Sequence, residues 1–363
     1  MSEVVNCDGS VTEKSANELV FVPRAELVKK TVARLSGGRR VFTVTDENVA
    51  RLHPELLPER DVCVLKAGED SKTFSSAENV CRKMLEAGIT RGAIVVAVGG
   101  GVVGDLAGFV ASVYMRGVEF INVPTTLLSQ VDSSIGGKTG VNLDGYKNML
   151  GAFKMPTSIV ICPEVLSSLP EREWRCGMGE LIKTAALEPE LYAFVTQNIN
   201  GLMEREPSAV EKAVKAAASF KKKITDDDPT EKGNRMILNL GHTVGHALEK
   251  CDSHKLSHGE YVMLGIELEL YMTQNSDSDF RDSICALLKK AGTPELPRFA
   301  AEEVCFAAKS DKKNTDGKIT LLGELGAGKV FVSKVTNSEF VERYKAAVKI
   351  FDERRHSAKG KRE

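Results

Sequence analysis

The stretch Ile94-Val95-Val96-Ala97-Val98-Gly99-Gly100-Gly101-Val102-Val103-Gly104-Asp105 decides the fold class of this chain. A run of apolar, mostly β-branched residues leads directly into three glycines, and a helix is predicted from Asp105 to Val113. A buried strand, a glycine turn and a helix in this order indicate a βαβ unit of a parallel sheet.

The glycine turn is also a candidate nucleotide-binding loop. Gly99, Gly101 and Gly104 satisfy the spacing G-x-G-x-x-G, and glycines at such a turn let the backbone approach a pyrophosphate. An ordinary tight turn fits the same residues, so the motif alone leaves both interpretations open. Asp46, at the end of an earlier strand, is a better candidate for a ribose contact than Glu119, which precedes its strand.

The first 163 residues alternate β-rich runs with helical ones, which predicts a parallel sheet with helices on its faces. The predicted strands cover 41–45, 62–65, 94–98, 120–124 and 158–161, and an amphipathic helix is predicted at 73–88. No hairpin is obvious in residues 1–20.

Beyond Pro163 helical periodicity dominates. Helical segments are predicted at 171–223, 236–250, 257–275, 279–291 and 338–352, with one small hairpin formed by 318–322 and 329–332. The predicted architecture is a Rossmann-like α/β domain (1–163), a mainly helical domain (164–352) and a charged, frayed tail (353–363).

Composition excludes several classes of protein. Hydrophobic residues make up 42% of the chain and the formal net charge is −1, so nothing indicates a nucleic-acid or membrane partner. No apolar run approaches the roughly 18 residues of a spanning helix, and the polar N-terminus lacks a signal-peptide core. The eight cysteines are scattered without a Cys-x-x-Cys pair, which predicts reduced thiols and a cytoplasmic location.

Half of the six histidines fall in one short region, as His242, His246 and His258. Imidazole is the commonest side-chain metal ligand and the commonest general base near neutral pH. Because His242 and His246 are four residues apart, a helix places both rings on one face, and by spacing alone both are candidate ligands. The cluster predicts a metal-dependent enzyme.

Several basic residues lie beside these motifs rather than on plain helical faces. For any single lysine a solvated surface position is the safer interpretation, but together they would suit a substrate that carries phosphate and carboxylate groups. They are Lys138, Lys147, Lys183, Lys221, Arg235, Lys312 and Lys313, with Asn148 and Asn239 as neutral donors.

Six stretches closely resemble the 3-dehydroquinate synthase family of sugar-phosphate cyclases, and the similarity spans roughly residues 40–335. These stretches are GGGVVGDLAGFVASVYMRG (99–117), VPTTLLSQVDSSIGGKTGVN (123–142), KNMLGAF (147–153), EREWRCGMGELIK (171–183), NLGHTVGHALE (239–249) and SHGE (257–260).

The resemblance implies a zinc site, in which cobalt can substitute, formed by Glu180, His242 and His258. Three protein ligands leave one position open, as a catalytic zinc requires. His246 matches the histidine that the family uses for acid–base chemistry, so only one of the two helix-paired histidines is implied as a ligand.

The resemblance also implies NAD and substrate contacts. For NAD they are Asp46, Asn48, Glu69, Lys72, Gly100, Gly101, Asp105, Thr125, Thr126, Asp132, Lys138, Lys147, Ser168, Leu169 and Glu173. For the substrate they are Asp132, Lys138, Asn148, Lys183, Lys221, Arg235, Asn239 and Lys312, with Lys313 as the alternative to Lys312. Arg116 is implied to reach the phosphate in a neighbouring subunit, which makes a homodimer the expected assembly.

Three departures from the family pattern carry expectations. Ser168 replaces a threonine, which alters an NAD contact. Gly179 replaces an alanine inside a helix, which costs about 1 kcal/mol and is expected to loosen Glu180. Asp228-Pro229 replaces an Asp-Glu pair, so the resemblance leaves the path of the following loop open.

The implied reaction converts 3-deoxy-D-arabino-heptulosonate 7-phosphate to 3-dehydroquinate and phosphate, a step of the shikimate pathway. It combines transient oxidation by NAD, phosphate elimination, re-reduction and intramolecular aldol closure, so NAD is recycled. The alternatives are a valiolone- or scyllo-inosose-type cyclase, a metal-dependent polyol dehydrogenase that releases NADH, and an NAD-binding regulatory protein without activity.

Overall fold

The computed structural model describes residues 3–5, 11–13, 17–144, 146–231, 233–253, 255–273, 278–309 and 317–359. The chain forms two compact units, Met1–Leu169 and Pro170–Glu363. The division follows the helical turn Pro163–Ser168, slightly later than the change of sequence pattern at residue 163. Among the described helices, none has the length and apolar character needed to cross a membrane.

The first unit is built on a parallel sheet. The described strands of this unit are β1 (Glu3–Val5), β2 (Val11–Glu13), β3 (Glu18–Phe21), β4 (Val41–Asp46), β5 (Val62–Leu65), β6 (Ile94–Gly99), β7 (Glu119–Pro124), β8 (Lys138–Leu143), β9 (Tyr146–Phe153) and β10 (Ser158–Ile161). Six of them form the parallel sheet, in the order β3-β10-β7-β6-β4-β5. All five strands predicted from the sequence are confirmed.

The central strand β6 explains why both faces of the sheet are covered by helices. Ile94, Val96 and Val98 contribute to one hydrophobic core, and Val95 and Ala97 contribute to the other. Successive side chains of a strand point to opposite faces, so an unbroken apolar run fits a strand that is buried on both sides. The helices of this unit are α1 (Val28–Ser36), α2 (Glu47–Leu52), α3 (Phe74–Glu86) and α4 (Gly101–Val113).

The sequence analysis did not predict three features of the first unit. Residues 1–20, where no hairpin was obvious, contain the antiparallel pair β1–β2 and the edge strand β3. The antiparallel pair β8–β9 was also missed. These strands are short or largely exposed, so they lack the buried apolar run or strict alternation from which a strand is recognised.

The second unit is mainly helical, as predicted. Its described helices are α5 (Glu171–Leu187), α6 (Pro189–Met203), α7 (Pro207–Asp227), α8 (His242–Cys251), α9 (His258–Met272), α10 (Ser278–Ala291), α11 (Ala301–Lys309) and α12 (Asn337–Lys359). The segment predicted as helical at 171–223 forms three helices because Pro189 and Pro207 each begin a new one. Proline suits the first position of a helix and is unfavourable in its interior.

The predicted hairpin of the second unit is confirmed as β11 (Ile319–Glu324) paired with β12 (Val330–Val335). The frayed tail predicted from residue 353 is wrong as far as Lys359, because α12 continues to that residue. Arg354 explains the continuation, since its guanidinium lies 2.7 Å from the Asp282 carboxylate and 5.4 Å from the centre of the Tyr271 ring.

Helix α9 is unusual because it is buried on every side from Gly259 to Met272 although it carries three glutamates. One of them, Glu267, is 7% exposed. Burial raises the pKa of Glu267 to about 7, although Arg355, Arg354 and Lys289 act to lower it. The folded state therefore favours the protonated carboxyl group. As the pH rises from 4.5 to about 7, the unfolded chain ionises first and folding stability falls.

The variant Glu267→Gln retains the size of the side chain but cannot ionise. We expect the free energy of unfolding of the variant, relative to that of the wild type, to rise by roughly 2 kcal/mol between pH 5 and pH 8. Urea denaturation at both pH values measures this difference, with the exposed Glu190→Gln on α6 as the control for loss of one charge. If the difference in free energy of unfolding between variant and wild type were equal at the two pH values, the raised pKa of Glu267 would be contradicted.

Candidate functional site

The carboxyl ends of β4 and β6 lie where a parallel sheet of this kind has its ligand-binding crevice. From β4 the chain proceeds outward to β5 and then returns to β6 on the other side of β4, so the strand order reverses between β4 and β6. Ligands of open α/β sheets bind at such a reversal. Asp46 ends β4, and Gly100 and Gly101 follow β6, so the structure places these three predicted NAD residues at this crevice.

The segments that follow β4 and β6 differ in how the next helix begins. Asp46 caps α2, since its Oδ1 accepts hydrogen bonds from the amides of Asn48 and Val49 at 2.9 and 3.0 Å. Helix α4 begins at Gly101 and receives no side-chain cap from its N-cap residue, Gly100. The amides at the start of α4 suit an anion, because the N-terminus of a helix carries partial positive charge.

Lys72 connects several of the predicted cofactor and substrate residues. It is 5% exposed, and its Nζ lies 2.5 Å from Asp105 Oδ2 and 2.6 Å from Asn148 Oδ1. Asn142 extends the network, because its side chain donates to Glu69 Oε1 at 2.8 Å and accepts from the Asn148 amide at 3.0 Å. The structure therefore brings Glu69, Lys72, Asp105 and Asn148 together.

The other predicted residues of the first unit lie on several elements. Thr125 and Thr126 follow β7, Asp132 lies in the helical turn Ser129–Ser133, and Lys138 and Lys147 lie on β8 and β9. Arg116 is exposed at the end of the turn Tyr114–Arg116. Ser168 and Leu169 end the unit, and the Ser168 hydroxyl lies 2.6 Å from His53 Nε2.

Glu180, His242, His246 and His258 converge in the second unit. Glu180 lies on α5, the next two lie one turn apart on α8, and His258 is the first residue of α9. Glu180 Oε1 is 3.5 Å from His242 Nε2 and 3.3 Å from His258 Nε2. One ring nitrogen from each of the three histidines lies within 4.8 Å of the other two. The structure thus brings together the predicted ligands and the predicted acid–base histidine.

The donor set fits a divalent metal ion such as zinc. Glu180 is completely buried, and neither of its oxygens accepts a hydrogen bond of regular geometry from a described residue. A buried carboxylate is costly unless cations compensate it. Lys183 Nζ lies 2.5 Å from Oε2, so Oε1, which faces His242 and His258, is the oxygen available to a metal ion. Carboxylate and imidazole are both ordinary zinc ligands. The geometry admits two ligand sets, His242 and His258 with either Glu180 or His246.

Glu180 and His242 have the protonation states that metal ligands need, whereas His258 holds a proton. Burial acts to raise the pKa of Glu180, but Lys183 and His242 hold it well below the usual range, so the carboxylate is charged. Burial lowers the pKa of His242 to about 3, against the influence of Glu180. Burial also acts to lower the pKa of His258, but Glu180 and Glu249 raise it to about 10. A metal ion would replace the proton on His258, since imidazole binds metals in its neutral form.

Glu249 was missed by the sequence analysis. It is 5% exposed on α8, and its Oε2 lies 3.3 Å from His258 Nδ1. A carboxylate in this position orients a metal-binding imidazole and increases its basicity. The sequence contained a signal, because Glu249 is seven residues after His242 and so lies on the same face of the helix. Glu260 instead forms a capping box with Ser257 at the start of α9.

The predicted cationic residues of the second unit are buried. Lys183, Lys221 and Arg235 are 1%, 8% and 3% exposed. Lys183 Nζ is 2.5 Å from Glu180 Oε2. Lys312 and Lys313 lie outside the described residues. Glu173, predicted to contact NAD, is an exposed residue on the first turn of α5.

The loop before Arg235 is organised by Asp228. Its Oδ2 accepts hydrogen bonds from the Gly233 amide at 2.7 Å and the Arg235 amide at 3.2 Å. The Arg235 guanidinium donates to the Pro229 carbonyl at 2.8 Å, and the Asn239 side chain donates to Glu231 Oε1 at 2.8 Å. The loop that follows Asp228-Pro229 is therefore held by its own side-chain contacts.

Packing gives Gly179 a different role from the expected loosening of Glu180. A Cβ atom at Gly179 would lie 2.4 Å from the Gly259 carbonyl oxygen of α9. Glycine therefore allows α5 and α9 to approach each other immediately beside Glu180 and His258.

For Gly179→Ala we expect a lower free energy of unfolding by roughly 1–3 kcal/mol, because overlap with backbone outweighs the helix propensity of alanine. Weaker metal binding is expected as well. Urea denaturation and metal titration test this, with Gly201→Ala on α6 as the control. Its nearest neighbour is a flexible glutamate oxygen at 2.7 Å, so we expect a change between zero and a gain of about 1 kcal/mol. A Gly179→Ala protein as stable as the wild type would refute the packing argument.

Comparisons with known proteins agree with this geometry. The 3-dehydroquinate synthase N-terminal family matches residues 62–176, and the 3-dehydroquinate synthase C-terminal family matches residues 177–314. The 3-dehydroquinate synthase of Alkaliphilus metalliredigens (strain QYMF) is 40% identical over 309 residues, covering 82% of this chain and 86% of that protein.

Two solved cyclase structures are similar over almost their whole length. The 2-epi-5-epi-valiolone synthase of Streptomyces hygroscopicus subsp. jinggangensis 5008, with NAD⁺ and Zn²⁺ bound, is 26% identical, with a TM-score of 0.83 over 95% of this chain and 99% of that one. A 2-deoxy-scyllo-inosose synthase complexed with carbaglucose-6-phosphate, NAD⁺ and Co²⁺ is 25% identical, with a TM-score of 0.77 over 90% and 95%. The chain belongs to the 3-dehydroquinate synthase family.

Proposed function

We propose that this chain converts 3-deoxy-D-arabino-heptulosonate 7-phosphate to 3-dehydroquinate and phosphate, as a phosphate-eliminating carbon–oxygen lyase of the shikimate pathway. Family membership supports the reaction. The structural observation that carries the proposal is the convergence of a buried carboxylate, Glu180, with three imidazoles.

When bound, NAD supplies a reversible hydride acceptor and a divalent metal ion, zinc or cobalt, supplies Lewis-acid polarisation of substrate oxygens. Glu180, His242 and His258 would hold the metal. Glu249 orients the His258 ring through its Nδ1 atom. His246, on the same face of α8 as His242, is proposed to hold and move the protons of the reaction at its ring nitrogens.

The proposed NAD residues are those of the crevice, the Lys72 network and the segments that follow β7 and β10. They are Asp46, Asn48, Glu69, Lys72, Gly100, Gly101, Asp105, Thr125, Thr126, Asp132, Lys138, Lys147, Ser168, Leu169 and Glu173. The uncapped start of α4 and the position of Asp46 at the strand reversal support this assignment.

Positive charge is proposed to hold the phosphate and carboxylate of the substrate. The residues are Lys138, Lys183, Lys221, Arg235 and Arg116, with Lys312 in a part of the chain that is not described, and Asn148 and Asn239 as neutral donors. Preorganised cations stabilise charge that develops on a departing phosphate more effectively than water does.

The decisive experiment measures phosphate release from the heptulosonate substrate at an NAD⁺ concentration far below that of the substrate. Release should exceed the amount of NAD⁺ many times, without steady growth of absorbance at 340 nm. A chelator should stop it, and zinc or cobalt should restore it. Steady NADH formation with glycerol, and no phosphate release, would instead support the polyol dehydrogenase.

A different cyclase is the second candidate, favoured by the likeness to the valiolone and scyllo-inosose synthases. The substrate discriminates between them, since the heptulosonate carries a carboxylate that the carbaglucose-6-phosphate bound by the scyllo-inosose synthase lacks. Phosphate release from a sugar phosphate without a carboxylate, such as glucose 6-phosphate, but not from the heptulosonate would favour that alternative.

Assembly as a homodimer is also proposed, with Arg116 acting on the substrate of the neighbouring subunit. Exposed apolar side chains beside Arg116 and on β9 support a homodimer. Their exposed fractions are 43% for Met115, 62% for Tyr146, 51% for Met149 and 58% for Phe153. Sedimentation equilibrium should give twice the chain mass of 39.4 kDa, and a monomer would refute the assembly.

A cytoplasmic location is proposed from the scattered cysteines, and those described form no disulfide.

A further inference from the structure

Glu269 of α9 contacts the start of the helix that carries His242 and His246. Its side chain is completely buried. Glu269 Oε2 accepts a hydrogen bond from the Gly241 amide at 3.2 Å, and Oε1 accepts one from the Val244 amide at 2.9 Å. The Leu322 amide of β11 also donates to Oε2, at 3.5 Å. One buried carboxylate thus accepts from three backbone amides.

The two amides on α8 are the ones that a capping box normally satisfies. In a capping box, the side chain of the N-cap residue accepts from the amide three residues later, and the side chain at that later position accepts from the N-cap amide. The N-cap of α8 is Gly241, which has no side chain, and the later position is Val244. Glu269 makes both bonds from a neighbouring helix. Helix α9, in contrast, has a capping box of its own, formed by Ser257 and Glu260.

Close packing explains why the cap comes from another helix. Gly241 has φ +74°, and a Cβ atom there would lie 2.6 Å from the Ile266 backbone nitrogen. A Cβ atom at Gly265 would lie 1.9 Å from the Gly241 carbonyl oxygen. The backbones of α8 and α9 are therefore too close for a capping side chain at position 241, so the start of α8 depends on Glu269.

We propose that Glu269 is a positioning residue of the metal centre, in addition to the residues that contact metal or substrate. His242 lies between the two amides that Glu269 holds, and His246 lies one turn further along the same helix. The carboxylate accepts hydrogen bonds from amides that would otherwise be buried without partners. Its negative charge also interacts favourably with the positive end of the α8 dipole. His242 Nδ1 lies 3.1 Å from the Leu240 carbonyl, which leaves Nε2 directed at Glu180. The inference rests on the proposed function only for the role of the histidines as a metal centre.

The first test compares Glu269→Gln with Glu267→Gln. Glutamine retains the size of the side chain but loses the charge and one acceptor. We expect hydrogen exchange at the Gly241 and Val244 amides to accelerate by at least about 10-fold, since one of the two bonds is lost and the other no longer has a charged acceptor. We expect Co²⁺ affinity to fall by roughly 10–100-fold, as for other partners that orient a metal ligand, and the visible spectrum of bound Co²⁺ to shift. Glu267→Gln, on the opposite side of α9, should leave the Co²⁺ affinity and spectrum unchanged and should not accelerate exchange at these two amides.

Two results would overturn the proposal. One is a folded Glu269→Gln protein with wild-type Co²⁺ affinity and spectrum. The other needs no variant: if the Gly241 and Val244 amides of the wild type exchange as rapidly as uncapped first-turn amides, Glu269 does not hold them. Failure of the proposed function is distinguishable, because it would appear as absent phosphate release in a wild type that still binds Co²⁺ and protects these amides.

Discussion

In a His258→Ala variant, metal content and phosphate release are expected to fall together. His258 belongs to both ligand sets that the geometry admits, and its Nε2 lies 3.3 Å from Glu180 Oε1. Loss of a ligand should weaken metal binding by more than the roughly 10–100-fold that follows loss of a ligand's hydrogen-bond partner. Turnover should fall by about three orders of magnitude, since a Lewis acid contributes several kcal/mol to the transition state.

Metal analysis of the purified protein and a phosphate-release assay measure these effects. Two further variants separate the ligand sets. If Glu180 is the third ligand, Glu180→Gln loses the metal, whereas His246→Asn retains it and loses roughly 10²–10⁴-fold in rate as an acid–base residue. The reverse pattern of metal content would assign all three histidines as ligands. His53→Asn, in the first unit, is the control and should keep the wild-type metal content. Wild-type activity in His258→Ala would refute the centre.

The second large effect is expected for Lys138→Ala. Lys138 is an exposed residue at the start of β8, opposite Phe153 of β9. Its loss should cost roughly 10²–10³-fold in kcat/KM, the usual effect of removing one charge-stabilising donor. The free energy of unfolding should change by no more than about 0.5 kcal/mol, because the side chain is outside the core.

Steady-state phosphate release and urea denaturation of the same preparation separate the two effects. The matched control is Lys334→Ala, which removes another exposed lysine from a strand, β12. We expect wild-type kinetics for the control. If Lys138→Ala and Lys334→Ala behaved alike, the assignment of Lys138 to the substrate would be wrong, and an unfolded Lys138→Ala protein would assign it a structural role.

Features that depend on neighbouring residues could be predicted from the sequence. The run from Ile94 to Val98 predicted the centre of a parallel sheet because a strand buried on both faces has to be apolar at every position. The four-residue spacing of His242 and His246 predicted a shared helix face for the same kind of local reason. The convergence of Glu180 with these histidines was implied only by the resemblance to a family, since no spacing rule connects α5 with α8.

The tertiary structure decided the features that depend on contacts between distant segments. By helix propensity alone, Gly179 destabilises α5. In the structure, the Gly259 carbonyl occupies the space that a Cβ atom at residue 179 would need. Glu249 had only its seven-residue spacing from His242 as a signal, and Glu269 had no recognisable pattern. The tertiary structure shows that Glu249 contacts His258 and that Glu269 caps α8.

By itself, then, the amino-acid sequence determined the alternation of strands and helices, the glycine turn and the helical face that carries two histidines. The packing of α5, α8 and α9 determined which carboxylates surround those histidines. The physical reason is that a periodic pattern records only which side of an element is buried, whereas a site is formed by the atoms that meet when several buried sides pack together.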